Sequence, residues 1–226
     1  ANYGVLDLGG IIEKSSQVGI SKLALSMNEY DVWEMFSAVG MGQSTDIGFP
    51  GERNGFLPNH RRWKDIERVT FAYGYGLTVT PIQLASAYLT IASGGIKRQL
   101  SLISNAKVEG KRVFDKRIAA DIMRMLQRVT AGGTGSKASM AAYSVAGKTG
   151  TVRKVGVDGY EDTRHMAFFA GITPAINPRL VGVVMINDPK GKGYGGGAIA
   201  APVFSRIMAA ALRLLNVPPD DIGEAA

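Results

Sequence analysis

The stretch that decides the fold covers residues 143–155 and reads Tyr-Ser-Val-Ala-Gly-Lys-Thr-Gly-Thr-Val-Arg-Lys-Val. Lys148, Thr149 and Gly150 stand at its centre, and the residues after the glycine are rich in β-branched side chains. Such residues favour an extended strand. The stretch therefore predicts a strand that carries a Lys-Thr-Gly motif, and a simple turn is the alternative.

The same stretch also resembles the end of the phosphate-binding pattern G-x-x-x-x-G-K-[ST]. That pattern needs a glycine at the position where this chain has Ala142, and it needs a helix after the threonine. The β-prone residues from Thr151 onward do not favour a helix. A nucleotide-binding loop is therefore a poor interpretation of Gly147-Lys148-Thr149.

Two further strands are predicted downstream, at Met166–Ile172 and Leu180–Asn187. The turn-like residues 173–178 between them are too few for a crossover, so the pair is predicted to be antiparallel. An apolar periodicity predicts a final helix over about residues 201–215. We expect this helix to pack on the sheet.

The first part of the chain is predicted to be mostly helical. Asn28 can cap a helix that extends to Val39, and Thr80-Pro81 can begin another, which ends before Gly94. A third helix is predicted from about Lys116 to Thr130, before the glycine-rich residues 131–135. Residues 43–62 are rich in Gly, Pro and Asn and predict a long loop. Helices followed by an antiparallel sheet and a packing helix indicate an α+β fold.

Composition excludes several classes of function. The 226 residues include no cysteine and only two histidines, His60 and His165, so neither a thiolate nor a histidine-rich metal site is expected. The net charge of +7 is spread along the chain, and its densest basic cluster, at residues 61–64, is followed at once by acidic residues. Nucleic-acid binding is therefore not expected. No uninterrupted apolar run reaches the roughly 18 residues of a membrane span.

A second motif lies near the start, at Lys14-Ser15-Ser16-Gln17-Val18-Gly19. Taken alone, a pair of serines is commonly a helix cap. More specific blocks are distributed along nearly the whole chain in a fixed order. They are Glu13-Lys14-Ser15-Ser16 with Val18-Gly19, Phe49-Pro50-Gly51-Glu52-Arg53, Tyr73-Gly74-Tyr75-Gly76-Leu77, Val79-Thr80-Pro81-Ile82-Gln83-Leu84, Phe169-Ala170-Gly171, Tyr194-Gly195-Gly196 and Ala201-Pro202-Val203-Phe204.

With these blocks the chain resembles the transpeptidase domain of class B penicillin-binding proteins, and within them the septal, cell-division type. The resemblance implies the penicillin-recognising serine transpeptidase fold, which is an antiparallel sheet flanked by helices with an all-helical subdomain. It implies a mostly helical part over about residues 1–135, a sheet with its C-terminal helix over about 136–216, and a tail over 217–226. The first strands and the helix of the nucleophile are expected to lie outside this chain.

The resemblance implies a peptidoglycan D,D-transpeptidase that cross-links stem peptides through a serine acyl-enzyme and is a target of β-lactams. It implies no cofactor and no metal, and it implies a place at the periplasmic face of the bacterial inner membrane, with an anchor outside this chain and division-complex membrane proteins as partners. Ser15 occupies the place of the family's Ser-x-Asn motif, in which Gln17 replaces the asparagine. The implied catalytic residues are Ser15 and Lys148, and the implied substrate-binding residues are Ser15, Gln17, Lys148, Thr149, Gly150 and Thr151.

The family's nucleophile is the serine of a Ser-x-x-Lys motif upstream of Ser-x-Asn. The string Ser104-Asn105-Ala106-Lys107 matches the pattern but stands in the wrong order, after Ser15. We interpret it as a coincidence and expect this chain alone to be inactive. A non-catalytic β-lactam-binding protein, a β-lactamase on the same fold and an interaction module are the alternatives.

Overall fold

The computed structural model describes residues 3–104, 106–156, 159–191 and 193–221. They form two compact units. The first takes in the described residues of Ala1–Ile11 and Ser15–Ala120, and the second takes in those of Ile12–Lys14 and Asp121–Ala226.

The regular elements of the first unit are mainly helices. Thr80 and Gln83 form a capping box at the start of one helix, and Pro81 occupies its first position, where no backbone N–H is needed. Asn28 caps the helix that was predicted to follow it, and its side chain accepts a hydrogen bond from the N–H of Asp31. Three of the helices, over Leu8–Lys14, Gln17–Ser26 and Asp65–Ala72, were not predicted. The helices are α1 (Leu8–Lys14), α2 (Gln17–Ser26), α3 (Glu29–Ala38), α4 (Asp65–Ala72) and α5 (Pro81–Ala92), and α6 (Lys116–Ala131) begins in this unit.

A two-stranded hairpin also belongs to the first unit, although this part of the chain was expected to be mostly helical and no strand was predicted there. Strands β1 (Ile96–Arg98) and β2 (Gly110–Arg112) are antiparallel, with Ile96 opposite Arg112. The Arg112 guanidinium donates to the carbonyl oxygens of Gly94 and Phe114 and closes the open end of the hairpin. The strands are three residues long and mainly basic, so no apolar alternation marked them in the sequence.

The predicted loop over residues 43–62 is irregular apart from an antiparallel β-bridge between Phe56 and Thr78 and a short 3₁₀ turn at His60–Arg62. Two buried or half-buried side chains hold it. Gln83, which is almost wholly buried, donates to the carbonyl oxygens of Gln43 and Asn54. Glu52 accepts hydrogen bonds from the hydroxyl and N–H of Thr45, and these bonds lower the pKa of its carboxyl.

The second unit contains a three-stranded antiparallel sheet in the order β3-β4-β5. Its strands are β3 (Ala146–Gly156), β4 (Gly159–Thr173) and β5 (Leu180–Asn187). The prediction of three antiparallel strands between residues 143 and 187 is confirmed. Strand β3 begins three residues later than predicted because Tyr143 and Ser144 bond instead to the C-terminal segment, at Val217 and Asp220.

Helix α7 (Gly196–Leu214) packs on this sheet, as predicted. Phe204 contacts Phe169 of β4 with ring centroids 4.8 Å apart, and both side chains are fully buried with Ala200 and Ala201. Among the described residues, α7 is also the one helix long and apolar enough to cross a membrane by length and composition. Its buried residues, which include Phe204 and Leu212, lie in the core of this unit, whereas Ile207 and Leu214 are exposed.

The helix begins five residues earlier than predicted, in three consecutive glycines. Glycine disfavours helices by about 1 kcal/mol relative to alanine, so propensity argued against this start. Space decides it instead. A Cβ atom on Gly196 would lie 2.3 Å from the carbonyl oxygen of Phe168 and 2.4 Å from that of Gly150.

Candidate active site

The Lys-Thr-Gly residues lie in β3, at the edge of the three-stranded sheet. Thr149 and Thr151 are opposite Phe169 and Ala167 of β4. Directly paired residues share a face of a sheet, and Phe169 contacts α7, so both threonine side chains project to the α7 face. Lys148 alternates with them and projects to the other face.

The Lys148 ammonium group nevertheless reaches the edge of its own strand. Its Nζ donates to the carbonyl oxygen of Thr149 at 3.1 Å and lies 3.3 Å from the Thr149 Oγ1. Burial disfavours the charged form and lowers the pKa of Lys148 to about 8. At pH 7 about nine tenths of such groups still carry the proton. The group can therefore attract a carboxylate and also release a proton near neutral pH.

Both threonine hydroxyls are contacted by other parts of the second unit. The Oγ1 of Thr149 lies 3.0 Å from the Oγ1 of Thr134, in the glycine-rich segment after α6. The Oγ1 of Thr151 accepts a hydrogen bond from the backbone N–H of Gly196, at 2.9 Å. The hydroxyl proton of Thr151 is not used in that bond and can be donated elsewhere.

The amino end of α7 lies directly against β3. Gly196 donates to Thr151, and Gly197 lies so close to residue 134 that a Cβ atom there would be 2.3 Å from the Thr134 carbonyl oxygen. The amino end of a helix carries a partial positive charge. It therefore adds to the preference of this part of the strand for an anion.

The structure shows why residue 150 is a glycine, which the sequence did not reveal. A Cβ atom at this position would lie 2.0 Å from the ring of Phe168, its partner on β4, and Gly196 approaches its backbone on the other side. Glycine is thus required here by internal packing. The sequence-based role of Gly150, leaving room for a substrate, stays a prediction.

The connection from β5 to α7 ends beside β3, and it contains Tyr194 and Gly195, which belong to a block carrying the family resemblance but were assigned no role. The ring of Tyr194 stacks on His165 of β4, with centroids 4.1 Å apart and an interplanar angle of 22°. At the other end of the connection, the N–H of Asp188 donates to the His165 carbonyl oxygen. Its carboxylate pairs with Arg164 and Lys190, which lower the pKa of Asp188. The connection is therefore attached to β4 at both ends.

Ser15 and Gln17 lie in the first unit; Ser15 is in the break between α1 and α2, and α2 begins at Gln17. Ser15 has a φ of 54°, a left-handed conformation that is uncommon for a residue with a side chain. Ser16 caps α2 by accepting a hydrogen bond from the N–H of Gly19 at 3.1 Å. The cap interpretation of the serine pair thus applies to Ser16, and Ser15 is the residue left exposed in the turn. Gln17 is the exposed first residue of α2.

Glu13, just before this turn, is a residue of the second unit that belongs to a block carrying the family resemblance, but the sequence assigned it no role. Its carboxylate pairs with Lys14 at 2.7 Å and with Arg128 of α6 at 3.1 Å, and both lower its pKa. Its carbonyl oxygen accepts from the N–H of Thr134 at 3.4 Å. The end of α1 is thereby bonded to the segment that contacts Thr149.

The other candidate groups play no part in this arrangement. Ser104 and Lys107 lie exposed in the connection between β1 and β2, and neither is in a helix; Asn105 lies outside the described residues. Across the part of the chain that the structure describes, no group of three or more His, Cys, Asp or Glu residues could hold a metal ion.

Comparison with known proteins connects this geometry to a family. Residues 1–209 match the model of the penicillin binding protein transpeptidase domain. The chain is 47% identical over 222 residues to the peptidoglycan D,D-transpeptidase FtsI of Escherichia coli strain K12, covering 97% of this chain and 38% of that protein. It is 44% identical over 224 residues to the protein of the same name from Buchnera aphidicola subsp. Schizaphis graminum, covering 98% and 39%. The chain thus spans under two fifths of the length of these relatives.

A solved structure agrees with the sequence matches. The apo structure of the TP domain from Burkholderia pseudomallei penicillin-binding protein 3 superposes with a TM-score of 0.91 at 39% identity. The match covers 96% of this chain and 67% of that one. The mixed arrangement of helices and antiparallel strands described above is therefore the penicillin-binding transpeptidase fold.

Proposed function

Because the chain belongs to the penicillin-binding protein transpeptidase family, we propose that it works as part of a septal, cell-division peptidoglycan D,D-transpeptidase and β-lactam target. The observation that carries the proposal is the edge strand β3. It combines a partly buried lysine, with a pKa of about 8, and two threonine hydroxyls beside the amino end of a helix. Both named relatives are transpeptidases, which favours this activity over that of a β-lactamase or a non-catalytic receptor.

Substrate binding follows from the chemistry of β3. A stem peptide ending in D-Ala-D-Ala is extended and ends in a carboxylate. The free edge of a strand can pair with an extended peptide through its backbone. Thr149 and Thr151 would then donate hydrogen bonds to the carboxylate, and Lys148 would supply positive charge. Gln17 would contribute its amide, one methylene further out than the asparagine of the family motif.

Catalysis would need a serine outside this chain. Its Oγ would attack the carbonyl carbon between the two D-alanines, pass its proton to a neighbouring lysine and form an ester as terminal D-alanine leaves. Ser15 and Lys148 would carry the proton to the leaving amine. The backbone N–H of Thr151 would donate to the oxyanion. An amine from a second stem peptide would then attack the ester and release the serine.

The setting also follows from the family. Cross-linking at the septum takes place on the periplasmic side of the inner membrane, with membrane proteins of the division complex as partners and an anchor outside this chain. No cofactor is proposed, because two serines and two lysines would carry the proton transfers.

The test is acylation by a labelled penicillin, read by intact mass. A longer protein that joins this chain to an upstream segment carrying Ser-x-x-Lys should gain one adduct, on that serine. The 226-residue chain alone should gain none. A longer protein that is folded by its thermal melt yet remains unlabelled would rule out the proposed function.

A further inference from the structure

Thr134 lies where the sequence suggested only the end of a helix. It belongs to the glycine-rich segment after α6, its side chain is exposed, and its Oγ1 is 3.0 Å from the Oγ1 of Thr149. This contact joins segments 15 residues apart in sequence. The segment thus brings a third hydroxyl to the strand that carries Lys-Thr-Gly.

Counting donors and acceptors assigns a direction to this contact. A threonine hydroxyl has one proton and two lone pairs. The Lys148 ammonium, 3.3 Å from the Thr149 Oγ1, can only donate to it. A carboxylate ligand can only accept, so Thr149 must spend its single proton on that ligand. Thr134 must then be the donor in its bond with Thr149.

The same count applies to Thr151. The Gly196 N–H donates to its Oγ1, which leaves the Thr151 proton for a ligand. Both threonines of β3 are thus contacted by donors from the protein and can present their protons outward. Such a pair of hydroxyls suits an anionic acceptor better than a neutral group that also donates.

Thr134 is held by its backbone. Its N–H donates to the Glu13 carbonyl oxygen at 3.4 Å, and its own carbonyl oxygen lies where a Cβ atom on Gly197 would be only 2.3 Å away. A Cβ atom on Gly133 would lie 2.8 Å from the Glu13 carbonyl oxygen. Gly133 and Gly197 allow these close approaches, so the backbone from which the Thr134 hydroxyl extends is held in place.

We infer that Thr134 is a positioning residue for carboxylate recognition: its hydroxyl donates to Thr149 and thereby directs the Thr149 proton to the carboxylate of the ligand. The inference rests on the proposed function, since it concerns the same ligand at the same strand. Thr134 acts through Thr149 and needs no contact of its own with the reacting atoms.

The test uses the longer protein, acylated by benzylpenicillin and by its methyl ester, which lacks the carboxylate charge. Thr134→Val keeps the shape of the side chain but cannot donate, and we expect acylation efficiency with penicillin to fall about three- to tenfold. The ester should lose less than about twofold, because the lost bond serves the charged group. Thr134→Ser should restore the parent rate. Thr163→Val, an exposed threonine of β4, is the matched control and should change neither rate.

A double-mutant cycle tests whether the effect passes through Thr149. Once Thr149 is valine, Thr134→Val should cost nothing further. Additive losses, equal losses with penicillin and ester, or an unchanged rate in Thr134→Val would each overturn the inference. If the valine variant does not fold, Thr134→Ala carries the same expectations. A folded parent that is not acylated defeats the proposed function and this inference together, whereas an acylated parent with an indifferent Thr134 defeats the inference alone.

Discussion

Lys148 should make the stability of this chain rise with pH through the alkaline range. Burial lowers its pKa from 10.5 to about 8. Below pH 8 the group is protonated in both the folded and the unfolded state, and the folded state bears the cost of burying the charge. Between about pH 8 and 10.5 the unfolded state binds more protons than the folded state, so the free energy of unfolding increases with pH.

The pKa difference sets the size of the effect. A shift of one unit corresponds to about 1.4 kcal/mol, so the full shift would be worth about 3 kcal/mol. The side chain is only partly buried, and screening by solvent reduces this figure to about 1–3 kcal/mol. The slope should not exceed about 1.4 kcal/mol per pH unit.

Urea unfolding of the parent and of Lys148→Met, from pH 7 to pH 10.5, measures this. Methionine keeps the length of the stem and removes the ammonium, so its packing adds an offset that does not change with pH. From pH 7 to pH 10.5, the free energy of unfolding of the parent should increase by about 1–3 kcal/mol relative to that of the variant. All other titrating groups are common to both proteins and cancel in the difference.

The opposite sign would refute the reasoning. If Lys148 gained a favourable ionic partner on folding, its pKa would be raised, and the parent would lose stability relative to Lys148→Met as pH rose above 10.5. A flat difference between pH 7 and 10.5 would show that burial does not perturb the group. Either result would remove the argument that Lys148 can release a proton near neutral pH.

Three further outcomes follow from the same contacts. In the longer protein, Lys148→Ala should lower both the acylation rate and the affinity for penicillin. Thr149→Val should lower acylation efficiency about tenfold to a hundredfold, which corresponds to the loss of one charge-assisted hydrogen bond. Stopped-flow acylation, with thermal melts of both variants, measures these effects, and an unchanged rate in Lys148→Ala would contradict the role proposed for Lys148. Gly196→Ala should destabilise the chain by about 1–3 kcal/mol, because steric overlap with two carbonyl oxygens exceeds the gain of about 1 kcal/mol in helix propensity. Gly132→Ala is the control, because a Cβ atom there meets nothing within 4 Å, and equal melting temperatures for the two variants would contradict the packing argument. Ser104→Ala should leave the mass that penicillin adds to the longer protein unchanged, and loss of that added mass would identify Ser104 as the nucleophile.

Local signals in the sequence predicted two of the helices that begin with a cap. The side chains of Asn28 and Thr80 mark helix starts that the structure places within one residue of the prediction. Such signals depend only on neighbours along the chain, so they need no knowledge of the tertiary fold. The apolar runs of β4 and β5 were found for the same reason, since their periodicity is local.

Elements fixed by distant contacts escaped prediction. Helix α7 begins at Gly196 because that residue must approach the carbonyl oxygens of residues 150 and 168, which the sequence around position 196 does not encode. The contact of Thr151 with Gly196 spans 45 residues. In the candidate site, Lys148 and Thr149 were found through a family pattern, whereas the contacts of Thr134 and Glu13 emerge only when the segments are brought together.

The alternation of side chains along β3 explains how one short motif can serve two tasks. Thr149 and Thr151 lie on the face that receives the amino end of α7, where their oxygens are contacted by fixed donors and their protons can meet an anion. Lys148 lies on the other face, where burial brings its pKa near neutrality. If all three side chains shared one face, the helix dipole would stand beside the ammonium and the carboxylate together, and a charge suited to binding would be poorly suited to proton release. Because Lys148 directly precedes Thr149 in sequence, the two requirements are met on opposite faces of the strand one residue apart, and the contact of Nζ with the Thr149 Oγ1 keeps them connected.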